Sequence, residues 1–324
     1  MLARFYCDIL ERMAIQHHKF HPRNRHQGHY DFPQLILAEA TLIDFVSVNA
    51  QGMATIDFAN PAAVKTLNRA LLKTHYGITS WDIPPDYLCP AVPGRADYLH
   101  YLADLVTSSN AGKIPKHIQA LDIGTGANCI YPLIGQSEYN WQFVATDSNP
   151  IALHNAQTIL KHNPKAAQHI TLRLQTDPNA IFSNIIHDDE WFDVTLCNPP
   201  FHASKAEASA GTQRKWRNLG KQLNQSESTL NFGGQDRELY CTGGELTFIL
   251  RIIAESANLS TRCFWFTTLV SKSANLPNIY AALKQAGVDQ PLTVSMQQGQ
   301  KQSRFLAWTF LTPTQKTAWR KLRW

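Results

Sequence analysis

Several protein classes are excluded by what this sequence does not contain. No apolar run reaches the ~18–20 residues that a membrane span requires. The first 20 residues have apolar spacing but carry Asp8 and Glu11. They lack the apolar core and small-residue cleavage site of a signal peptide, so the expected location is cytoplasmic. None of the six cysteines (Cys7, Cys89, Cys129, Cys197, Cys241, Cys263) belongs to a C-x-x-C pair. Spread over 324 residues, they read as reduced thiols, without a structural zinc site. There is no internal repeat and no low-complexity block. Charged residues are 17% against 44% hydrophobic, an ordinary globular balance.

The charge present is unevenly placed. The net value of +5 is mild. Residues 17–29, HHKFHPRNRHQGH, contain five histidines, one lysine and two arginines but no acid. The last nine residues, KTAWRKLRW, are basic and aromatic. Such clusters suit a polyphosphate partner, and a solvated tail is the equal alternative for the last nine. The histidines have no cysteine or acid beside them, so no metal is expected.

The pattern divides the chain into a 1–20 extension, a mainly helical 21–115, a 116–312 stretch of alternating strands and helices, and a 313–324 basic tail. Asn60-Pro61 is a helix start, asparagine as cap and proline in the first turn, with Val64, Leu67 and Leu71 on one face. A second helix is expected near Arg95, with Leu99, Leu102 and Val106 as its stripe, and Ser108–Lys116 reads as a linker. Strands are expected at 117–124, 140–147, 169–175, 191–198 and 261–270. Helices are expected at 149–163, 244–257 and 276–287, and LTVSMQQ and FLAWTFL complete the sheet. Such alternation gives an α/β fold, a mostly parallel doubly wound sheet that binds ligands beyond the carboxyl ends of its strands.

LDIGTGAN (Leu121–Asn128) closes the first of these strands. Gly124 and Gly126 permit a tight turn, but the dinucleotide fingerprint needs a third glycine where Cys129 stands. Asp122 before the turn would repel phosphate and suits a cationic or hydroxyl-rich ligand. D-x-G-x-G followed by an acid at the end of the next strand, here Asp147, is the pattern of S-adenosylmethionine sites. That cofactor has no phosphate, and Asp147 is placed for its ribose hydroxyls. The plainer alternative is a strand-to-helix turn with Asp147 as a helix-entry acid.

CNPPFH (Cys197–His202) ends the fourth strand. A proline pair cannot extend a sheet. It can build a clamp. The Asn198 side-chain carbonyl and the Pro199 main-chain carbonyl, held extended by Pro200, can accept from the two N–H groups of a conjugated amine. That would turn the nitrogen lone pair toward a methyl donor by position and electrostatics, with Phe201 offering a stacking face. A strand terminator followed by a core phenylalanine is the alternative.

HPRNRH (His21–His26), YDFPQLI, IDFANPAAVKTLNRALL, VPGRADYLHYLADL, LDIGTGANCIYPLIG, CNPPFH and GGELTFILRII together resemble the bacterial 23S ribosomal RNA adenine-N6-methyltransferase F family, whose core the human U6 small nuclear RNA adenine methyltransferase shares. The likeness spans about residues 20–312. It implies a class I, Rossmann-like S-adenosylmethionine-dependent methyltransferase with a helical N-terminal RNA-binding module. Cofactor contacts would come from Arg95, Asp122, Gly124, Thr125, Gly126, Asp147 and Asn198, with a third-strand contribution near Asn179-Ala180. Asn198, Pro199, Pro200 and Phe201 would form the catalytic clamp. Arg95 could pair with the cofactor carboxylate.

The implied partner is 23S ribosomal RNA or a large-subunit assembly intermediate, met by a monomer. Lys19, Arg23 and Arg25 would contact phosphates, His26 or Tyr30 would stack, and Lys215 and Arg217 lie in a 202–242 segment expected as a substrate loop over the site. Protein glutamine methyltransferases use a similar clamp, usually N-P-P-Y, and form the alternative enzyme class. An RNA-binding protein without turnover is a third reading, disfavoured by the presence of Asp122, Asp147 and Asn198.

Overall fold

The computed structural model describes residues 20–85, 87–200, 241, 243–298 and 301–324. Among the described residues the first elements are helix α1 (Phe32–Ala38) and a short 3-10 turn (Ala40–Phe45), then a two-stranded ribbon, β1 (Val46–Val48) and β2 (Ala54–Ile56). Helices α2 (Pro61–Tyr76) and α3 (Val92–Ser109) follow. Then come β3 (Gln119–Ile123), α4 (Ile130–Tyr139), β4 (Gln142–Asp147), α5 (Pro150–Lys161), α6 (Pro164–Ala167), β5 (Ile170–Leu174) and β6 (Phe192–Cys197). The chain closes with α7 (Gly244–Ser256), β7 (Cys263–Leu269), α8 (Leu276–Gln285), β8 (Leu292–Gln298), β9 (Lys301–Trp308) and α9 (Pro313–Arg323).

The large sheet has seven strands in the order β5-β4-β3-β6-β7-β9-β8. Strands β5 to β7 run parallel, and the β8–β9 hairpin joins antiparallel through β9. Ile123 pairs with Thr146 on one side and Cys197 on the other, so three strand ends finish level.

Strand alternation sends side chains to two cores. Ala120, Val194 and Leu196 pack with α2, α3, α4 and α5. Leu121, Ile123 and Cys197 pack with Ile249, Ile252 and Ile253 of α7 and with Ile279 and Leu283 of α8. A side chain at Gly135 of α4 would lie 2.5 Å from the Phe143 ring, so glycine there sets how closely α4 rests on β4. The first core is continuous from Phe32 to Trp319, so the N-terminal helices are part of the sheet's packing.

Helix starts follow the sequence. Asn60 accepts from the Ala62 and Ala63 N–H groups, and Asn149 does the same for Ile151 and Ala152. Gly77, left-handed at φ 66°, stops α2. The β1–β2 ribbon stands in a region expected to be helical. Its β-branched Val46, Val48, Thr55 and Ile56 flank an Asn49–Gly52 turn, a hairpin signal too short to register beside the helices. The predicted 108–116 linker starts later, because α3 runs to Ser109.

The last residues form a docked helix. Thr312 and Gln315 close a capping box at its start. Trp319 is 7% exposed. Its indole N–H donates to Asp193 Oδ1 at 2.7 Å, as does that of Trp324 at 2.8 Å, while the Gln119 N–H donates to Asp193 Oδ2 at 2.8 Å. The Trp324 ring lies 4.5 Å from that of Phe264. The aromatic residues of the basic segment therefore serve the core at the amino ends of β6 and β7. Trp319→Ala should lower the unfolding free energy in urea by about 3–5 kcal/mol. A loss under ~1 kcal/mol would place α9 outside the cooperative unit.

Candidate active site

Beyond the level strand ends lies a cleft lined by the Gly124–Gly126 turn, Arg95, Tyr131, Asp147, Asn198 and Pro200, among others. The turn hangs on β4: the Gly124 and Thr125 N–H groups both donate to Thr146 O, at 2.9 and 2.8 Å. Gly124 and Gly126 have φ of 76° and 65°, which only glycine adopts without strain. A side chain on Gly124 would meet nothing within 4 Å among the described residues, which leave the space above the turn to a ligand. Asp147 Oδ2 accepts from the Gly126 N–H at 2.9 Å and Oδ1 from the Asn149 N–H at 2.8 Å. These bonds fix the carboxylate at the cleft wall.

Asp122 is 1% exposed, and neither of its oxygens has a hydrogen-bond partner among the described residues. Burial pushes its carboxyl up to about 7, the Asp147 charge adds to the rise, and Thr125 and Arg95 offset part of it. Arg95, in the first turn of α3, lies over the Tyr131 ring at 5.7 Å. Asn198 follows β6 directly, and its Oδ1 is buried without a partner among the described residues. Thr125 Oγ1 is unpartnered in the same way. Buried polar atoms are normally bonded, and Asn198 lines the cleft, so its unsatisfied carbonyl marks a place that a polar ligand completes. An open glycine cradle, fixed acids, an arginine and no third glycine fit S-adenosylmethionine, which is hydroxyl-rich, cationic and free of phosphate.

One wall of the cleft comes from the N-terminal region. Leu88 and Pro90 line it. Side-chain bonds hold their segment, among them that of Asn68 Nδ2 to Pro90 O at 2.7 Å. The Trp81 indole donates to Asn128 O at 2.9 Å. Asn155 Nδ2 donates to Ala127 O at 2.7 Å and to Asp82 O at 2.9 Å. Asn149 Nδ2 donates to the Tyr87 hydroxyl at 3.1 Å. Asn163 donates to Ser80 O at 2.6 Å and accepts from the Thr79 N–H at 2.9 Å.

Of the residues expected at the cofactor, Arg95, Gly124, Thr125, Gly126, Asp147 and Asn198 line the cleft, while Asp122 is buried beneath the turn and does not. Of the third-strand pair, Ala180 lines the cleft, while Asn179 is exposed and bonds its N–H to Asp177 Oδ1. Leu88, Pro90, Tyr131, Gln175, Asp177, Phe248 and Arg251 also line it and were not picked out from the sequence. Arg251, which donates to Pro178 O at 3.2 Å, was legible only as part of an amphipathic helix. Phe201, Lys19, Lys215 and Arg217 lie outside the described residues.

HPRNRH does something other than display its side chains. The α3 start has no side-chain cap of its own. His21 N–H donates to Asp97 Oδ1 at 2.7 Å, and Asn24 Nδ2 donates to Pro93 O and to Asp97 Oδ1 at 3.0 Å each. Arg23 reaches His100 O at 2.9 Å and Asp104 Oδ1 at 2.5 Å, and Arg25 pairs with Glu138 at 2.6 Å. The segment is a clasp around the start of α3, the helix that carries Arg95. His26 is corrected as a stacking residue: it is 6% exposed, and its Nε2 bonds the Tyr76 hydroxyl at 2.8 Å. Burial, helped by the His75 and Arg25 charges, lowers its pKa to about 3, so it stays neutral.

Similarity to known proteins agrees with the geometry. The hMettl16 catalytic domain in complex with MAT2A 3'UTR hairpin 1 superposes with a TM-score of 0.76 at 30% identity, covering 91% of this chain and 96% of that one. The N-terminal domain of human METTL16 in complex with SAH gives 0.72 at 27% identity, covering 90% and 99%. Ribosomal RNA large subunit methyltransferase F of Pseudomonas aeruginosa is 56% identical over 307 residues, 94% of this chain and 91% of that protein. The protein of that name from Pseudomonas putida is 54% identical over 306 residues, 94% and 96%. Sheet order, glycine turn and strand-end acids define a class I S-adenosylmethionine-dependent methyltransferase. Residues 14–312 match the family described as RNA methyltransferase. The chain belongs to that family, in the group of ribosomal RNA large subunit methyltransferases F.

Asp122 gives the cofactor-free protein a pH signature. The folded chain keeps a proton that the unfolded chain releases above about pH 4. Unfolding free energy therefore falls as pH rises from there to about 7, where Asp122 ionises in the folded state. Asp122→Asn removes this titration. The variant should gain on the wild type by up to ~1.4 kcal/mol per pH unit across the window and run parallel to it outside. An offset between the two denaturation curves that is the same at pH 4 and pH 8 would mean that Asp122 is not raised.

Proposed function

We propose that the chain transfers a methyl group from S-adenosylmethionine to the N6 amino group of a specific adenine in 23S ribosomal RNA, either free or in an assembling large subunit. The observation that carries this reading is Asn198: a buried side-chain carbonyl without a partner, in the same cleft as the glycine turn, followed by two prolines. The relatives' printed names, ribosomal RNA large subunit methyltransferase F, and an RNA hairpin bound to a related domain support the substrate class. Glutamine methylation is not favoured, because those relatives are named for RNA. The protein would act in the cytoplasm as a monomer.

The adenine amine is a weak nucleophile, since its lone pair is delocalised into the ring. When bound, the cofactor supplies a methyl group already activated by a sulfonium. Asn198 Oδ1 accepts one amine N–H and the Pro199 carbonyl the other, which draws the nitrogen out of conjugation. Neither is a strong base: the N–C bond forms as the S–C bond breaks, and the methylated nitrogen then releases its extra proton to water, so the effect of the two carbonyls is orientation and charge stabilisation. Asp147 and the turn hold the cofactor's hydroxyls and main body, and Arg95 its carboxylate. Phe201 supplies the face on which the base stacks after leaving the RNA helix. Arg23 and Arg25, each about half exposed beyond its ion pair, remain available to phosphates.

Incubation with labelled S-adenosylmethionine and separate pools of total RNA and total protein, followed by nucleoside and amino-acid analysis, tests the reading. Label should appear as N6-methyladenosine in large-subunit RNA. Label in protein glutamine would overturn it. In the same assay Phe201→Tyr should retain most activity. Phe201→Ala should lose about 5- to 150-fold, the range of ~1–3 kcal/mol of stacking.

A further inference from the structure

Helix α3 reaches the end of β6 through a hydroxyl of β7. The β6–β7 ladder stops at Val194↔Trp265, whereas β6 stays paired with β3 as far as Cys197. The last three residues of β6, Thr195 to Cys197, thus lie beyond the last ladder pair with β7. Side chains fill the gap. The Thr267 hydroxyl donates to Thr195 O at 2.6 Å, and the Thr267 N–H donates to Thr195 Oγ1 at 3.2 Å. Tyr98 of α3 brings its phenol oxygen within 2.6 Å of Thr267 Oγ1. A hydroxyl has one hydrogen, and that of Thr267 is taken by Thr195 O, so Tyr98 is the donor in this pair. The chain of bonds is directional: Tyr98 O–H to Thr267 O–H to Thr195 O, three residues before Asn198.

Tyr98 is completely buried and cannot swing away. Its ring meets that of Tyr131 edge-on at 5.7 Å and that of Phe305 at 5.1 Å. Tyr131 is the ring that carries Arg95. The main chain of Cys197 is directed at the phenol oxygen. A phenylalanine would fill the same apolar space; only the hydroxyl reaches into the strand gap.

We infer that Tyr98 is a positioning residue for methyl transfer: its phenol, wedged where β6 and β7 part, sets the course of Thr195–Cys197 and so aims the Asn198 carbonyl. The inference rests on the proposed function, since it concerns the clamp on the amine. It also gives the clasped helix a second duty. One rigid element holds Arg95 beside the cofactor and fixes the strand end beside the substrate.

Tyr98→Phe and Thr267→Val each remove one link, and Thr267→Ser keeps it. With wild-type RNA methylation established first, failure of the proposed function is separable from failure of this inference. Tyr98→Phe should lower kcat on the order of 10- to 100-fold, the scale of a small misplacement of a reacting group. S-adenosylmethionine affinity by calorimetry should stay within about twofold, the cofactor contacts being untouched. Amide hydrogen exchange at 195–198, measured without RNA, should speed up in that variant while β3 and β4 stay unchanged. Thr267→Val should behave likewise, Thr267→Ser like the wild type, and the double variant no worse than either single one, as for residues acting as a unit. Unchanged kcat and exchange in Tyr98→Phe would overturn the inference, as would losses that add in the double variant. Should Tyr98→Phe fail to fold, Thr267→Val and Thr267→Ser carry the same test.

Discussion

The register of β3 between its two neighbours is the constraint on which the site depends. Ile123 pairs with Thr146 and with Cys197. The residues that follow those three positions are Gly124, Asp147 and Asn198, so the turn, the acid and the amide share one level. A one-residue slip of either strand would move its whole set of side chains to the other face. Cofactor cradle and clamp could not then meet. Parallel strands need long crossovers, and among the described residues the crossover helices α4 and α5 pack on one face of the sheet and α7 on the other.

The second requirement is rigidity, supplied from the N-terminal third. The Leu88–Pro90 wall is fastened by Asn149, Asn155, Asn163 and the Trp81 indole. HPRNRH fastens the uncapped start of α3 through Asp97. A buried side chain deprived of such a bond costs about 1–3 kcal/mol. Clasp, helix and wall therefore bring the N-terminal helices into the same mechanical unit as the sheet. RNA engaging the clasp's half-exposed arginines would load the same helix that holds Arg95.

Much of this was legible in the sequence, for identifiable reasons. Asparagine-proline pairs announced α2 and α5, and the proline pair announced the end of β6, because these residues restrict their own backbone. Asp122 and Asp147 were readable from the glycine turn and their place on successive strands. What escaped depended on distant partners. Arg23 meets Asp104 and Arg25 meets Glu138, far along the chain, so a local run of cations looked wholly free. His26 was read as a platform and is a buried neutral ring, because Tyr76 sits fifty residues away. Tyr131 and Arg251 reach the cleft only through tertiary packing. The tail's tryptophans became core because Asp193, buried in β6, needs donors.

The central claim is that the end of β6 acts on the substrate amine and not on the cofactor. Single-turnover methyl transfer by Asn198→Ala, at saturating RNA and S-adenosylmethionine, tests it most directly. The rate should fall on the order of 100-fold or more, as when one preorganised polar contact to a reacting group is lost. Cofactor affinity measured by calorimetry on the same preparation should stay within about threefold. A single-turnover rate near that of the wild type, or a loss fully explained by weaker cofactor binding, would contradict the account.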